Sequence, residues 1–412
     1  LYEGADRLGG LATWEDFGPF TWDRFYHCIL PGDQDLLDFL EEIGLGDEVV
    51  WSTTRTGVYI DGRTYPLNSA FDFVRFSALS LWERARLAYT MLRCAAIRNV
   101  RSLEDESARD WFIRVGGEGP FRRIWAPLLR AKFGDAMDRV SPVFLAAKIQ
   151  RMVLARKEVA RPGNLAYVAG GYHRVWTRCA ERLAELGVDL RLSSSIRSVE
   201  PDGEGGVVVD AGGESHRHER AILTTPFRLA RKLTEKWPGG SPVPEQASVD
   251  YMGLVCLILA LRKKVVPDYV LNIADEGFPF TGVIGMMDLI SPDEANGLEL
   301  VYVPKYIVAG DPIFEASDEE IYESFFPALQ KIFPELRAAD LDSWFVRRAR
   351  IVQPIQVLGY SRNVPSPDFE GPVSVVNNSQ LLETDLHNSM VIRHAREAVR
   401  AVVQADERAA GR

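Results

Sequence analysis

Leu1-Tyr-Glu-Gly-Ala-Asp-Arg-Leu-Gly-Gly10 is the stretch on which the fold assignment turns. It has the form of a β-strand end finishing in Glu3, a short loop carrying Arg7, and the glycine pair Gly9 and Gly10. In a dinucleotide-binding βαβ unit, an acidic side chain at the end of the second strand accepts hydrogen bonds from the adenosine ribose hydroxyls. Glu3 stands at that place. Glycines after it let the backbone approach a pyrophosphate, because a Cβ would hold the chain away and each N–H is a donor. Glu3, Arg7, Gly9 and Gly10 are therefore candidate cofactor contacts. The glycine-rich turn that precedes such a strand is not in the sequence, and the chain opens on Leu1 rather than Met. It is expected to be cut from something longer and, without that turn, to hold a dinucleotide less tightly.

Outward from this stretch, Leu36, Leu37, Leu40 and Ile43 with Gly44 behind them have the spacing of an amphipathic helix with a glycine cap. Val49 to Pro66 alternates around Asp61-Gly62, a hairpin signal. From about Ala70 to Arg156 apolar positions recur at helical spacing, which predicts a helical insert. Val175, Trp176, Cys179, Ala180 and Leu183 mark one helix face ended by Gly187. Val188, Leu190 and Leu192 then alternate as a strand, followed by a small antiparallel meander and a return strand at Ala221–Leu223. Strand-like runs at Leu254–Leu261, Val283–Met287 and Leu300–Val303, with a helix near Glu319–Ile332, predict a mixed sheet. A strand at Val373–Val376, a polar loop from Asn377 to Asn388 and a helix with Ile392, Ala395, Val399 and Val402 on one face close the chain.

With 412 residues, 46% hydrophobic and 26% charged, the chain is long enough for two domains. A net charge of -10 without a dense Lys/Arg block argues against nucleic acid as a partner. Cys28, Cys94, Cys179 and Cys256 lie far apart with no CxxC pair, and His216 and His218 lack a third ligand nearby, so reduced thiols and no metal site are expected. No apolar run approaches the ~20 residues that span a bilayer. A cytoplasmic protein is expected, with peripheral membrane contact open to the aromatic insert Phe71–Ile97 and its Arg84, Arg86 and Arg93. The oligomeric state is not legible.

The opening segment resembles the motif that follows GxGxxG in flavoproteins of the amine-oxidase and protoporphyrinogen-oxidase family, and later segments resemble the same family in the same order. Tyr167-Val-Ala-Gly-Gly-Tyr-His173 looks like the return into the flavin domain. Ser193-Ser-Ser-Ile-Arg-Ser-Val199 resembles the strand that sandwiches the adenine, with Ile196 the position carried over. Ala221-Ile-Leu-Thr-Thr-Pro226 resembles the strand whose small-residue turn, at Thr225, lies beneath the cofactor. Val373–Val376 followed by Asn377, Asp385 and Ser389 resembles the approach to a helix N-terminus on the ribityl-phosphate side, with Ser389 able to cap that helix. Trp125-Ala-Pro-Leu-Leu-Arg-Ala-Lys-Phe-Gly134 and the insert around it look like a bacterial branch of the family. The resemblance implies an α/β fold: an incomplete Rossmann-like FAD-binding domain of residues 1–30, 160–240 and 368–412, and a discontinuous α+β substrate domain of residues 31–159 and 241–367. It also implies FAD as cofactor.

The sequence departs from the family at His387, where glycine is usual, and at Asn377. Gly253–Cys256 lacks the lysine that amine oxidases commonly place near the flavin, which argues against amine oxidation in the strict sense. A flavin carries the hydride chemistry, so the protein need only position a substrate and supply a base or dipole. His27 is the candidate proton carrier, Tyr302 and Lys305 are candidates to face the flavin, and Arg130 and Lys132 are candidates to bind an anionic substrate group. The implied function is hydride transfer from a small or medium organic substrate to FAD. The alternatives are a flavin-dependent sugar mutase like UDP-galactopyranose mutase and a non-catalytic family member.

Overall fold

The computed structural model describes residues 1–155, 164–245, 249–382 and 386–410. Tyr2 makes a single parallel bridge to Arg191. β1 (Trp14–Asp16) and β2 (Thr21–Asp23) form an antiparallel ribbon. α1 (Gln34–Glu42) buries Leu36, Leu37 and Leu40, and Gly44 beyond it takes φ 81°. β3 (Val49–Ser52) leads to the hairpin of β4 (Thr56–Ile60) and β5 (Arg63–Pro66). Asp61 and Gly62 between them have φ 53° and 69°, the left-handed pair that a tight hairpin turn requires.

The helical insert follows: α2 (Ala70–Arg75), α3 (Leu81–Ala96), α4 (Ala108–Gly116), α5 (Glu118–Pro120), α6 (Ala126–Phe133) and α7 (Val143–Ala155). Ser69 with Asp72 and Ser80 with Glu83 form capping boxes that start α2 and α3. β6 (Leu165–Val168) pairs with β3, and α8 (Gly171–Glu185) follows it. β7 (Ile196–Pro201), β8 (Val207–Ala211) and β9 (Glu214–His218) are the expected meander, and β10 (Ala221–Leu223) and α9 (Phe227–Leu233) come next.

β11 (Tyr251–Leu261), β12 (Val270–Ile273), β13 (Gly282–Gly285), β14 (Glu299–Ile307), α10 (Asp318–Ile332) and β15 (Leu341–Pro354) complete the largest sheet. Its order is β15-β11-β14-β13-β12-β4-β5, mixed because β12 and β4 run parallel. Then come α11 (Tyr360–Asn363), β16 (Val373–Val375), parallel to β10, and α12 (Asn388–Ala410).

β11 is buried almost throughout, so alternation sorts its side chains between two cores. Val255, Leu257, Leu259 and Leu261 join Ile321, Phe325 and Leu329 of α10. Leu254, Cys256, Ile258 and Ala260 face Phe17, Phe20, Trp22 and Phe25 of the N-terminal segment. The register places Tyr302 opposite Ile258 and Tyr306 opposite Leu254, so both tyrosines share that second face.

Two expected elements differ. Residues 188–192 form no strand, because Tyr2 is their one ladder partner and Leu192 is exposed. On α12 the buried positions are Ser389, Ala398 and Ala405, while Val399 lies 55% exposed. Ala398 and Ala405, seven residues apart, share the face that packs there, while Ile392 packs against the core that holds α1.

Glu299 at the start of β14 is buried, and its carboxylate accepts from the backbone N–H groups of Val265 and Val266. Burial raises this carboxyl from 4.5 to about 7, against the opposing pull of those two N–H donors. A carboxyl raised on folding binds more protons in the native state, so its contribution to stability is largest below the unfolded value and is lost as pH rises toward 7. Urea unfolding is expected to lose roughly 2–4 kcal/mol through this group between about pH 4.5 and about pH 7.5. The Glu299→Gln protein should match the wild type at the acid end and show a flatter pH dependence; an unchanged slope would contradict the assignment.

Candidate active site

The opening segment is held against residues 191–194 by four backbone hydrogen bonds. Arg191 N–H donates to Leu1 and Glu3 N–H to Arg191, while Ser193 and Ser194 donate to Ala5 and Glu3, all between 2.7 and 2.9 Å. The Glu3 carboxylate accepts from Ala5 N–H at 2.8 Å, which fixes it at the strand end. Tyr2, Ile196, Ala221, Leu223 and Val373 pack in or against one small core, so four of the stretches singled out in sequence meet there.

Gly9 takes φ 117°, and a Cβ on it would collide with the Trp176 indole, whose Nε1–H donates to the Ala12 carbonyl at 2.7 Å. Gly10, at φ 55°, faces open space. Arg7 pairs with Asp6 and lies 4.2 Å over the Trp14 ring. Trp176 stacks on Tyr172, whose hydroxyl accepts from Asn388 at the start of α12. A continuous chain of contacts thus runs from the glycine pair to the last helix.

Asp23 organises the next layer. Its Oδ1 accepts from Tyr172 N–H at 2.7 Å, placing a carboxylate at the N-terminus of α8, where the helix dipole favours it. Its Oδ2 lies 3.7 Å from His27 Nδ1, and its carbonyl accepts from the Tyr302 hydroxyl. His27 packs edge-on to Tyr172 at 5.0 Å, and its buried Nδ1 has no hydrogen-bond partner among the described residues. Trp22, Asp23, His27, Tyr167 and Tyr172 also line a void of about 20 Å³, which is the size of one water and too small for a ring system.

Sequence reasoning missed a hydroxyl pair on the Tyr302 face of the large sheet. The hydroxyls of Tyr26 and Tyr306 are 3.0 Å apart. Burial raises both phenols, that of Tyr26 well above 10, so both stay protonated at neutral pH. Lys132 Nζ sits 4.5 Å over the Tyr306 ring and 4.3 Å over Phe144, a cation–π arrangement. The period-two pattern of β14 could have indicated Tyr306, whereas Tyr26 lies in a segment without regular structure.

The expected site residues separate. Tyr302 is fully buried with its hydroxyl on Asp23, and Lys305 points to the opposite face of β14, 3.9 Å from Asp311. An odd spacing of three along a strand forbids them a common cleft. Arg130 is exposed and pairs with Glu276, so of the two expected anion ligands only Lys132 lies beside the tyrosines. Ser389 is buried inside α12 and accepts from Leu36 N–H at 3.4 Å instead of capping its own helix; His387 occupies the position before that helix. Asn377 ties two strand ends together, its Nδ2–H donating to Thr225 carbonyl at 3.0 Å and its Oδ1 accepting from Ser379. Asp385 lies outside the described residues. His216 and His218 contact Arg191 and Tyr2, and no group of metal-ligating side chains occurs among the described residues.

Residues 1–351 match the family described as flavin containing amine oxidoreductase. The chain belongs to that family. Its members carry FAD, and the residues present fit one: the buried hydroxyls of Thr225 and Ser374, near the paired ends of β10 and β16, have no hydrogen-bond partner among the described residues. Among solved structures, a candidate protoporphyrinogen oxidase from Exiguobacterium sp. 255-15 superposes with a TM-score of 0.74 at 15% identity, over 98% of this chain and 92% of that one. Cyclohexylamine oxidase from Brevibacterium oxydans IH-35A gives 0.66 at 16% identity, over 98% and 93%. Reduced UDP-galactopyranose mutase gives 0.65 at 17%, over 88% and 78%. At these identities the likeness is one of fold. None of the curated proteins matches the sequence. No helix among the described residues is long and apolar enough to cross a membrane.

The site hangs on α1 and α12 through Asp33. This buried carboxylate receives Arg151 Nε–H and Nη2–H at 2.7 to 3.1 Å and Leu30 N–H at 2.9 Å, with His387 Nδ1 at 3.5 Å. Removing one partner of a buried ion pair leaves the other charge poorly compensated. Asp33→Ala is expected to lower the unfolding free energy by about 3 kcal/mol in a denaturant titration, and a loss under about 1 kcal/mol would refute this role.

Proposed function

We propose that this chain oxidises or desaturates a small or medium-sized organic molecule, with Tyr26, Tyr306 and Lys132 as the substrate-facing groups. The observation that carries the reading is the hydroxyl pair of Tyr26 and Tyr306, set in an apolar wall with a lysine ammonium against one ring. When bound, FAD supplies the hydride acceptor.

The two phenols share one hydrogen bond, so one O–H remains to donate to a substrate acceptor. Because burial keeps them protonated, they orient the substrate and do not act as bases. Lys132 favours an electron-rich or anionic substrate group. His27, beside Asp23 and with a buried Nδ1 unsatisfied, is the group placed to accept a proton.

In the same proposal residues 1–30, 160–240 and 368–412 hold the cofactor, and residues 31–159 and 241–367 hold the substrate. Glu3 accepts from the ribose hydroxyls, Gly10 faces open space and admits the diphosphate while Gly9, packed on Trp176, shapes the turn, Ile196 packs on the adenine, and Thr225 hydrogen-bonds the cofactor from its buried hydroxyl. Arg7, braced on Trp14, stands beside the diphosphate path.

FAD titration followed by flavin fluorescence is expected to show binding that Glu3→Ala weakens about tenfold, the worth of charged hydrogen bonds to a ribose. Anaerobic bleaching by a panel of organic donors should then be slowed about tenfold in Tyr306→Phe at unchanged flavin content. Absence of binding, or a Glu3→Ala protein with unaltered affinity, would contradict the cofactor assignment. Isomerisation of a nucleotide sugar by the reduced protein, without donor-dependent bleaching, would replace the oxidation reading.

A further inference from the structure

α3 packs against its own insert with one face and leaves an apolar face outside. Leu87, Thr90 and Cys94 point inward, whereas Leu81, Trp82, Tyr89 and Leu92 are 75%, 70%, 52% and 66% exposed. At 100° per residue these four, with the exposed Ala85 and Ala96, fall on one stripe of the helix. α2 extends the patch with Phe71 and Val74, which are 59% and 63% exposed. Arg84 links the two helices by donating to the Val74 carbonyl. A contiguous patch of this size is uncommon on a free surface and marks a contact site.

The charge around it is opposite to that of the chain. Residues 70–101 carry six arginines against two carboxylates, within a protein of net charge -10. Both carboxylates, Asp72 and Glu83, are spent on capping boxes. Arg75, Arg93 and Arg98 are exposed, and no salt bridge engages them among the described residues. A two-fold contact between copies would set these arginines against one another. A negatively charged, apolar-backed surface would take both features at once.

We propose that α2 and α3 form a docking surface for an anionic lipid membrane. Leu81, Trp82, Tyr89, Leu92, Phe71 and Val74 enter the headgroup–acyl boundary, where tryptophan and tyrosine are favoured, and the arginines meet the lipid phosphates. α3 lies in the plane of the surface and does not cross it. This surface is independent of the flavin site.

The test is flotation with vesicles of equimolar phosphatidylglycerol and phosphatidylcholine against vesicles of phosphatidylcholine alone. The wild type is expected to partition about tenfold or more strongly onto the anionic vesicles, and to be released by salt. Trp82→Ser with Leu92→Ser, and separately Arg93→Gln with Arg98→Gln, should each weaken that partition about tenfold with unchanged circular dichroism and melting temperature. The arginine pair leaves the apolar face intact and covers the case in which the first variant fails to fold. Equal partition onto the two vesicles, no partition onto either, or a dimer in sedimentation that the same substitutions dissolve would each overturn the proposal.

Discussion

The two-sided burial of β11 and β14 is the constraint on which the rest depends. A strand covered on both faces must commit alternate side chains to different cores, and a slip of one residue would exchange them. Here the odd-numbered residues of both strands anchor α10, and the even-numbered ones meet the N-terminal segment. Tyr302 and Tyr306 therefore arrive next to Asp23 and Tyr26, although nearly 280 residues separate them in sequence. Two apolar cores of this kind penalise misplacement, because each buried methylene group contributes about 0.8 kcal/mol.

Asp23 converts that packing into a defined geometry. A buried carboxylate is stable only if its lone pairs are met, and the N-terminus of α8 meets them. Gly171 makes the approach workable: with φ 63° it adopts a backbone that other residues resist, and a Cβ there would crowd the Asp23 carboxylate and the Trp22 ring. The carbonyl of Asp23 meanwhile holds the Tyr302 hydroxyl, so the ribbon, the large sheet and α8 close on one residue. The opening stretch joins this frame through Trp176 and Tyr172, which connect Gly9 to the start of α12.

Local physics made much of this legible in the sequence. Asp61-Gly62, Gly44 and the meander carry signals that act within a few residues. The family resemblance rested on the opening stretch and the segments near Ile196 and Thr225; Tyr2, Ile196 and Leu223 from those stretches share one small core, while Gly9 packs on Trp176. Long-range pairing was not legible. Residues 188–192 alternate like a strand, but a strand needs a ladder, and Tyr2 offers only one rung. Lys305 and Tyr302 are attractive by residue type, yet their spacing of three places them on opposite faces. Arg130 and Lys132 stand two apart on α6, so one faces Glu276 at the surface while the other meets Tyr306. The Tyr26–Tyr306 pair joins an irregular segment to a strand, and no local pattern announces it.

Amide hydrogen exchange in the presence and absence of FAD tests the central claim, which is that the Glu3 strand end, the glycine pair, the 193–196 segment and the ends of β10 and β16 face one cofactor. Exchange at residues 3–10, 193–196, 225 and 377–378 is expected to slow together on FAD addition, with α10 and the β4–β5 hairpin unchanged. Slowing confined to any one of those stretches, or spread evenly over the large sheet, would contradict the account.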